Sequence, residues 1–400
     1  MEPIEVGERI RSYREQLGIT REQLAAGKIS SSLIKYIEQG KRKLTPIRAA
    51  IIAANLNEVA ERKEIQFEIT AQDLLIPEKD YAALLCKKRI DKLHKNEFCL
   101  EDYLDILKIT ELYNLSTTKL EIFGIMSRHY YGKDTNLSVK YTKEELKLCI
   151  KLKMNNRFSD ILTRLGVYYY SLSKYNLALQ CFNHCYYNIK YLSEDSSDVE
   201  SKTLYNKALC YRKLESYSKA FYYLNKLFAF KEIDDRLTNL ALILKANIYV
   251  ELKEYEKALD IYTYIADHSI DYLYIIQNNM AEAFNKLNRV DESIKYLTKS
   301  INNQISSPSP NTTLSLINMA ENYKNQSMLR ESIVFYEYAF DNSIKFNQFN
   351  EMLKCYEALL SLYTKIKKFD KITDLKEYMK ILVDKKDLPT EFKDKAILLK

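Results

Sequence analysis

The stretch "GITREQLAAGKISSSLIKYIEQGKRK", residues 18–43, holds three of the seven glycines of this 400-residue chain and ends in a cluster of cations. Before it, Val6, Ile10, Tyr13 and Leu17 recur at helical spacing and Gly18 ends the run, which reads as a first helix. Thr20 and Gln23 have the spacing of a capping box, so a second helix starts at Arg21, turns Leu24 and Ala25 inward and is closed by Gly27. Ser30 is a natural N-cap for a third helix that runs to Gln39, with Gly40 as its stop. In a helical projection Leu33, Ile34 and Ile37 share one side of it, which leaves Ser31, Ser32, Lys35, Tyr36 and Gln39 on the other.

Three short helices with a tight turn before the third is the arrangement that lays a recognition helix in the major groove of DNA. The residues Leu24-Ala25, Ser30-Ser31-Ser32, Ile34, Ile37, Glu38 and Gly40 follow the Leu-Ala, turn, small-polar, Ile-x-x-Ile-Glu-x-Gly pattern. Over roughly residues 5–60 the segment thus resembles the Cro/C1-type (XRE-family) helix-turn-helix. The resemblance implies that Arg21 holds a phosphate and that Ser31, Ser32, Lys35 and Tyr36 meet the groove, with the capping residues Thr20 and Ser30 beside them. Lys41, Arg42 and Lys43 would contact the DNA backbone just past the third helix, adding affinity without sequence information. Arg14 and Glu38 stand where that family places a structural ion pair. The charge distribution points the same way: residues 1–48 carry ten Lys/Arg against six Glu, in a chain of net charge +7.

Composition excludes several other classes. With 46% hydrophobic and 29% charged residues the chain can bury a core, and no apolar run is long enough to span a membrane. The start Met1-Glu2-Pro3-Ile4-Glu5 lacks the basic-then-apolar pattern of an export signal, so a soluble cytoplasmic protein is expected. The seven cysteines form no CxxC pair, and His94, His129, His184 and His268 are scattered, so neither a metal site nor a Cys/His nucleophile is expected. No glycine follows Gly166, and phosphate loops, dinucleotide turns and nucleophile elbows depend on glycine. The expectation is a non-enzymatic chain without cofactor, whose long C-terminal part is almost pure helix.

That part repeats. Gly166, Tyr169, Ala178 and Phe182 share their internal offsets with Ala208, Tyr211, Ala220 and Leu224, and with Ala246, Tyr249, Ala258 and Tyr262. Ala281, Phe284, Ser293 and Leu297, then Ala320, Tyr323, Ser332 and Tyr336, continue the series, and Leu360, Tyr363, Phe369 and Ile372 read as a weaker last copy before a capping helix. Small residues let two antiparallel helices approach while aromatics fill the space between them, and the pattern resembles the tetratricopeptide repeat. Segments such as "YLSEDSSDVES" and "SSPSPNTT" read as lengthened loops. The expected fold is all-α: a helix-turn-helix domain over 1–63, a linker over 64–77, and a right-handed superhelix of tetratricopeptide-type helix pairs over 78–400. The clearest repeats lie near 159–192, 201–234, 239–272, 274–307, 313–346 and 353–386.

The first helix of each pair supplies most of the inner wall of such an array. In this register the wall includes Arg164, Lys202, Tyr205, Asn206, Arg212, Asn247, Asn278, Asn279, Glu282, Asn285 and Asn318. Apolar positions Leu209, Leu240, Ile243, Ile275, Leu314 and Ile317 lie among them. An asparagine amide offers both donor and acceptor, which suits the backbone of an extended peptide, and the apolar positions suit its alternate side chains. The 33 tyrosines also invite base stacking, but many occupy the packing positions between helices.

A helix-turn-helix joined to such an array resembles the RRNPP peptide-pheromone receptors of Gram-positive bacteria, and richness in Lys, Asn, Ile and Tyr fits a low-GC, clostridial type of genome. The resemblance implies a homodimeric transcription regulator that reads two half-sites of a DNA operator and changes its DNA binding when a short imported peptide occupies the groove. A regulator whose array binds a protein partner, and a phosphatase acting on response regulators, are the competing readings.

Overall fold

In the computed structural model the described residues are 5–93, 99–191, 197–268, 272–304 and 309–385. They form helices and connecting turns, with no strand among them. The chain divides into two compact units, residues 1–194 and 195–400.

The first unit opens with α1 (Val6–Gln16), α2 (Arg21–Ala25), α3 (Ser31–Glu38), α4 (Pro46–Arg62) and α5 (Ala71–Leu75). The capping box at Thr20 forms in full, and Ser30 Oγ accepts from the Leu33 amide to start α3. Gly18 and Gly40 end α1 and α3 with φ of +62° and +70°. The turn out of α2 is made by two left-handed residues, Ala26 (φ +47°) and Gly27 (φ +70°). Ile10, Leu17, Leu24, Ile34, Ile37, Ile52 and Leu56 fill one core. Asn55 ties α4 to α2, its buried amide donating to the Leu24 carbonyl at 2.8 Å.

Residues 64–77, expected as a linker, fold onto that core instead. Ile69 and Leu74 are buried in it, and the Asn57 side chain pairs with both the N–H and the C=O of Ile69, at 2.9 and 2.8 Å. Thr70 and Asp73 cap α5 reciprocally. Arg9, 1% exposed, donates to the carbonyls of Asp73 and Ile76, and its guanidinium lies 4.1 Å from the Tyr81 ring centroid.

The helices that follow are α6 (Glu78–Leu93), α7 (Leu100–Leu112), α8 (Ser116–Tyr130) and α9 (Thr135–Lys151), then the pair α10 (Asn155–Ser171) and α11 (Tyr175–Tyr191). The second unit contains α12 (Ser197–Lys213) with α13 (Tyr217–Phe228), α14 (Asp235–Glu251) with α15 (Tyr255–His268), and α16 (Leu273–Lys286) with α17 (Val290–Asn302). It continues with α18 (Pro310–Asn325), α19 (Leu329–Lys345), α20 (Phe349–Lys365) and α21 (Phe369–Lys385). These are tetratricopeptide-type helix pairs. The small markers Ala208, Ala220, Ala246, Ala258 and Ala320 are all fully buried. A Cβ on Gly166 would stand 2.5 Å from the Phe182 ring, so the glycine is what lets that ring seat between α10 and α11.

The aromatic markers carry a second duty that the offsets alone do not reveal. The carbonyls of Tyr169, Tyr211, Tyr249, Phe284, Tyr323 and Tyr363 each accept the N–H of the residue five places on, at 2.8–2.9 Å, closing the first helix of every pair. The left-handed residue this closure needs is Ser173, Glu215, Lys253, Asn288, Ser327 or Lys367, with φ between +55° and +62°. The array therefore makes glycine-type turns without glycine, and the turns within pairs are tight. Rings from the second helices stack on three of the markers, as in Tyr211 with Tyr223 at 5.4 Å and 3°.

The last repeat departs from the expected register. Tyr363 is buried and Leu360 and Ile372 pack against the core, but Phe369 begins α21 and is 64% exposed. The expected capping helix beyond it, and parts of the two segments read as long loops, lie outside the described residues.

Candidate functional site

Two surfaces gather the residues singled out from the sequence. On α3, Ile34 and Ile37 face inward, while Ser32, Lys35, Tyr36 and Gln39 are exposed and Ser31 is half-buried. Ser30 Oγ also accepts from the Ser32 hydroxyl at 3.2 Å. Lys41, Arg42 and Lys43 are all exposed just past α3, where the Lys41 and Arg42 amides both bond to the Tyr36 carbonyl. The outcome is a polar helix face continuous in sequence with three cations.

The base of this surface is electrostatic. Glu38, its side chain 1% exposed, accepts from Arg14 Nε at 2.6 Å and from Arg21 Nε at 2.7 Å. The Glu38 hydrogen bond raises the Arg14 pKa against the opposing effect of burial. The Arg14–Glu38 pair stands as the sequence implied. Arg21 Nε also bonds Glu38, so one carboxylate serves two arginines, while the Arg21 side chain stays 36% exposed. Gly7 has no role legible in the sequence, yet a Cβ there would lie 2.3 Å from the Ile37 carbonyl oxygen and 2.8 Å from that of Glu38. Close approach of α1 to the end of α3 depends on it.

The second surface lies along the first helices of the second unit, where α12, α14, α16, α18 and α20 touch in succession. Arg212 on α12 donates from Nε and Nη2 to Glu251 Oε1 on α14, at 3.0 and 2.8 Å. Asn279 Nδ2 on α16 donates to Asn247 Oδ1 on α14 at 3.3 Å, and Tyr262 OH donates to the same oxygen. Asn318 Nδ2 on α18 donates to Asn278 Oδ1 on α16 at 3.1 Å. The asparagines therefore meet from repeat to repeat, and part of each amide serves the array itself.

Other candidates are distributed unevenly. Tyr205, Asn206, Leu209, Ile275 and Asn285 are half-buried and Glu282 and Leu314 exposed, as an accessible wall requires. Lys202 is exposed and pairs with Asp198 at 2.7 Å. Ile243 and Ile317 do not line an open groove: at 8% and 1% exposure they belong to the cores between helices, because a first helix turns two faces to its neighbours. Asn278, 5% exposed, is likewise interior. Arg164 belongs to the first unit, where its guanidinium is 12% exposed and held by Glu145 at 3.0 Å and by the Ser127 hydroxyl at 3.0 Å. Burial pushes the Glu145 pKa up, and the Arg164 hydrogen bond opposes it.

Six cysteines are buried and Cys99 is exposed, all as free thiols. Among the described residues no group of three or more His, Cys, Asp or Glu could hold a metal ion, and no helix is long and apolar enough to cross a membrane.

Comparison with known proteins bears on these two surfaces differently. No curated protein matches the chain. Among solved structures, NprR in complex with its cognate peptide NprX is 18% identical with a TM-score of 0.46, over 80% of this chain and 95% of that one. PlcR of Bacillus thuringiensis in complex with the peptide PapR7 and DNA is 14% identical with a TM-score of 0.33, over 93% of this chain and 99% of that one. A tetratricopeptide repeat protein from Parabacteroides merdae is 15% identical with a TM-score of 0.48, over 68% and 98%. At such identities the similarity concerns fold alone. The helix-turn-helix family model (HTH_3) matches residues 10–62, so the chain begins with a helix-turn-helix domain of that family, followed by an array of tetratricopeptide-type repeats.

Proposed function

We propose that the chain is a DNA-binding transcription regulator whose repeat array senses a short linear peptide. The observation that carries the reading is the outward face of α3. Ser32, Lys35 and Tyr36 stand exposed on a helix whose other side is locked into the core, and Lys41–Lys43 follow it directly. A face of this kind would otherwise be a solvated surface, but it sits on the helix that the helix-turn-helix geometry presents to a major groove. Dimerisation and two half-sites complete the proposal, because one short helix reads too few base pairs for useful specificity.

The array side rests on the accessible amides and apolar side chains along the first helices, which offer an extended backbone its hydrogen-bond partners. A peptide alters DNA binding only through different affinity for two states of the protein. This is the behaviour of the RRNPP receptors that the sequence resembles, and the cytoplasm is its compartment.

Fluorescence anisotropy against salt tests the DNA contacts. Lys41→Ala with Arg42→Ala is expected to weaken binding to every duplex and to flatten the salt dependence by about 0.9 in log–log slope for each phosphate that is no longer neutralised. Ser32→Ala or Tyr36→Ala should change discrimination between duplexes and leave the slope in place. Equal effects from both sets would remove the division between backbone and base recognition. For the array, calorimetric titration with peptides encoded beside the gene should show saturable binding that weakens in Asn206→Ala and in Asn247→Ala. Since Asn247 also bonds Tyr262 and Asn279, folding of that variant is checked by circular dichroism.

A further inference from the structure

The last three described helices, α19, α20 and α21, frame a cavity of about 530 Å³. It shares no residue with the proposed peptide wall, so a ligand there is independent of that reading. Tyr338 on α19 and Tyr378 on α21 line it and stand 61% and 44% exposed, and Tyr378 lies edge-on to Phe340 at 6.2 Å. Val334, Leu359 and Leu375 extend this apolar surface. Against it stand three exposed carboxylates, Glu337 and Asp341 one turn apart on α19 and Asp374 on α21, with Lys371 as the one cation of the lining. None of the three forms an ion pair among the described residues. The Tyr363 hydroxyl donates to Glu337, a neutral partner that leaves the charge uncompensated. Asp341 reaches solvent, yet the protein packed around it, and then the like charge of Glu337, push its carboxyl above the ordinary pKa.

An anion would be repelled here, and a neutral apolar group would cover carboxylates without compensating them. A cation is attracted twice, by the carboxylates and by the faces of the tyrosine rings. The spacing of the charges decides its form. Among the described residues no three acidic groups could hold a metal ion, so these carboxylates do not converge on a point. Three carboxylates against one lysine leave a lining of −2, which two separated positive charges balance. The stretch between those charges lies along rings and aliphatic side chains, as the methylene stems of long cations do on apolar surface. A basic peptide fits less well: no Asn, Gln, Ser or Thr lines the cavity to serve its backbone, unlike the first-helix wall.

We propose that this cavity binds an aliphatic diamine, whose methylene chain lies on the tyrosine rings while its two ammonium groups meet the carboxylates of α19 and α21. The test is calorimetric titration of the full chain at low ionic strength with cadaverine, a five-carbon diamine, with pentylamine and with magnesium chloride. Cadaverine should bind saturably and about tenfold more tightly than pentylamine, the weight of one charge-assisted hydrogen bond. Magnesium at equal ionic strength should not displace it. Asp374→Asn, an exposed change whose folding is checked by circular dichroism, should remove most of the preference for two charges, whereas Tyr338→Leu should weaken both amines alike. Binding of neither amine, equal binding of the two, displacement by magnesium, or an undiminished preference in Asp374→Asn overturns the diamine site. The peptide acetyl-Gly-Lys-Lys-Gly-amide supplies the remaining arm. Weaker binding than cadaverine supports the proposal; tighter binding that falls in Asp374→Asn would assign the groove to a basic protein segment and overturn it.

Discussion

Replacing Glu38 by alanine is expected to destabilise the helix-turn-helix domain strongly while the repeat array keeps its stability. The Glu38 carboxylate, 1% exposed, is the shared partner of Arg14, whose side chain is 10% exposed, and of Arg21, which is 36% exposed. Removing one member of a buried pair leaves an uncompensated charge, which costs about 3–5 kcal/mol. The Arg21 interaction adds little to that figure because water screens it. For a domain whose total stability is of order 5–15 kcal/mol, such a loss is a large fraction. Hydrogen exchange by mass spectrometry is the suitable readout, since a chain of two units has no single unfolding free energy. Protection of α1–α4 should fall by about two to four orders of magnitude, the converted cost, with α12–α20 unchanged. Undiminished protection in α1–α4 would show that the ion pair does not hold the domain together.

The second large effect is expected from a single methyl group. Alanine in place of glycine within a helix ordinarily stabilises by roughly 0.5–1 kcal/mol. At position 7 the sign should reverse, because the new Cβ meets the backbone carbonyl oxygens of Ile37 and Glu38 at 2.3 and 2.8 Å, and backbone cannot rotate away. Gly7→Ala should destabilise the domain by about 1–3 kcal/mol, the usual cost of overpacking. Because the clash is with the last turn of α3, it should also weaken binding to all duplexes by shifting the outward face. Thermal unfolding of the domain by hydrogen exchange, with anisotropy alongside, checks both parts. A gain in stability would mean that α1 and α3 are not packed as closely as described.

How much of this was legible depends on the range of the interaction. The capping box at Thr20, the Ser30 cap and the inward pair Ile34 and Ile37 are local, set by residues three or four apart, and the sequence carries them plainly. The Arg14–Glu38 pair was legible through family resemblance. The bond from Arg21 to the same carboxylate was not legible, because nothing local shows that α2 brings its Nε within 2.7 Å. The segment 64–77 has no long helical period, so it reads as a linker; Ile69, Leu74 and the Arg9 hydrogen bonds to Asp73 and Ile76 become visible only when distant residues meet.

In the array, fixed offsets exposed the repeats wherever a small residue and an aromatic mark the crossing. The last copy has Leu360 where its neighbours have alanine and Lys376 where they have Phe, Leu or Tyr, so the apolar Phe369 drew the alignment to a position that is exposed. The wall residues were harder. Periodicity distinguishes one face of a helix from the opposite face, but Ile317 and Asn318 are adjacent, and only packing against α19 and α20 decides that the first is core and the second is wall.

The most direct test of the central claim is selection of duplexes from a random pool by the full-length chain, read by sequencing and run beside the variant Ser32→Ala, Lys35→Ala, Tyr36→Ala. The expected result is enrichment of one motif built of two related half-sites by the parent chain, lost in the variant although Ile34 and Ile37 keep α3 seated and hydrogen exchange shows the domain folded. No enriched motif, or the same motif enriched by the variant, would contradict the assignment of the outward face of α3 as the surface that reads DNA.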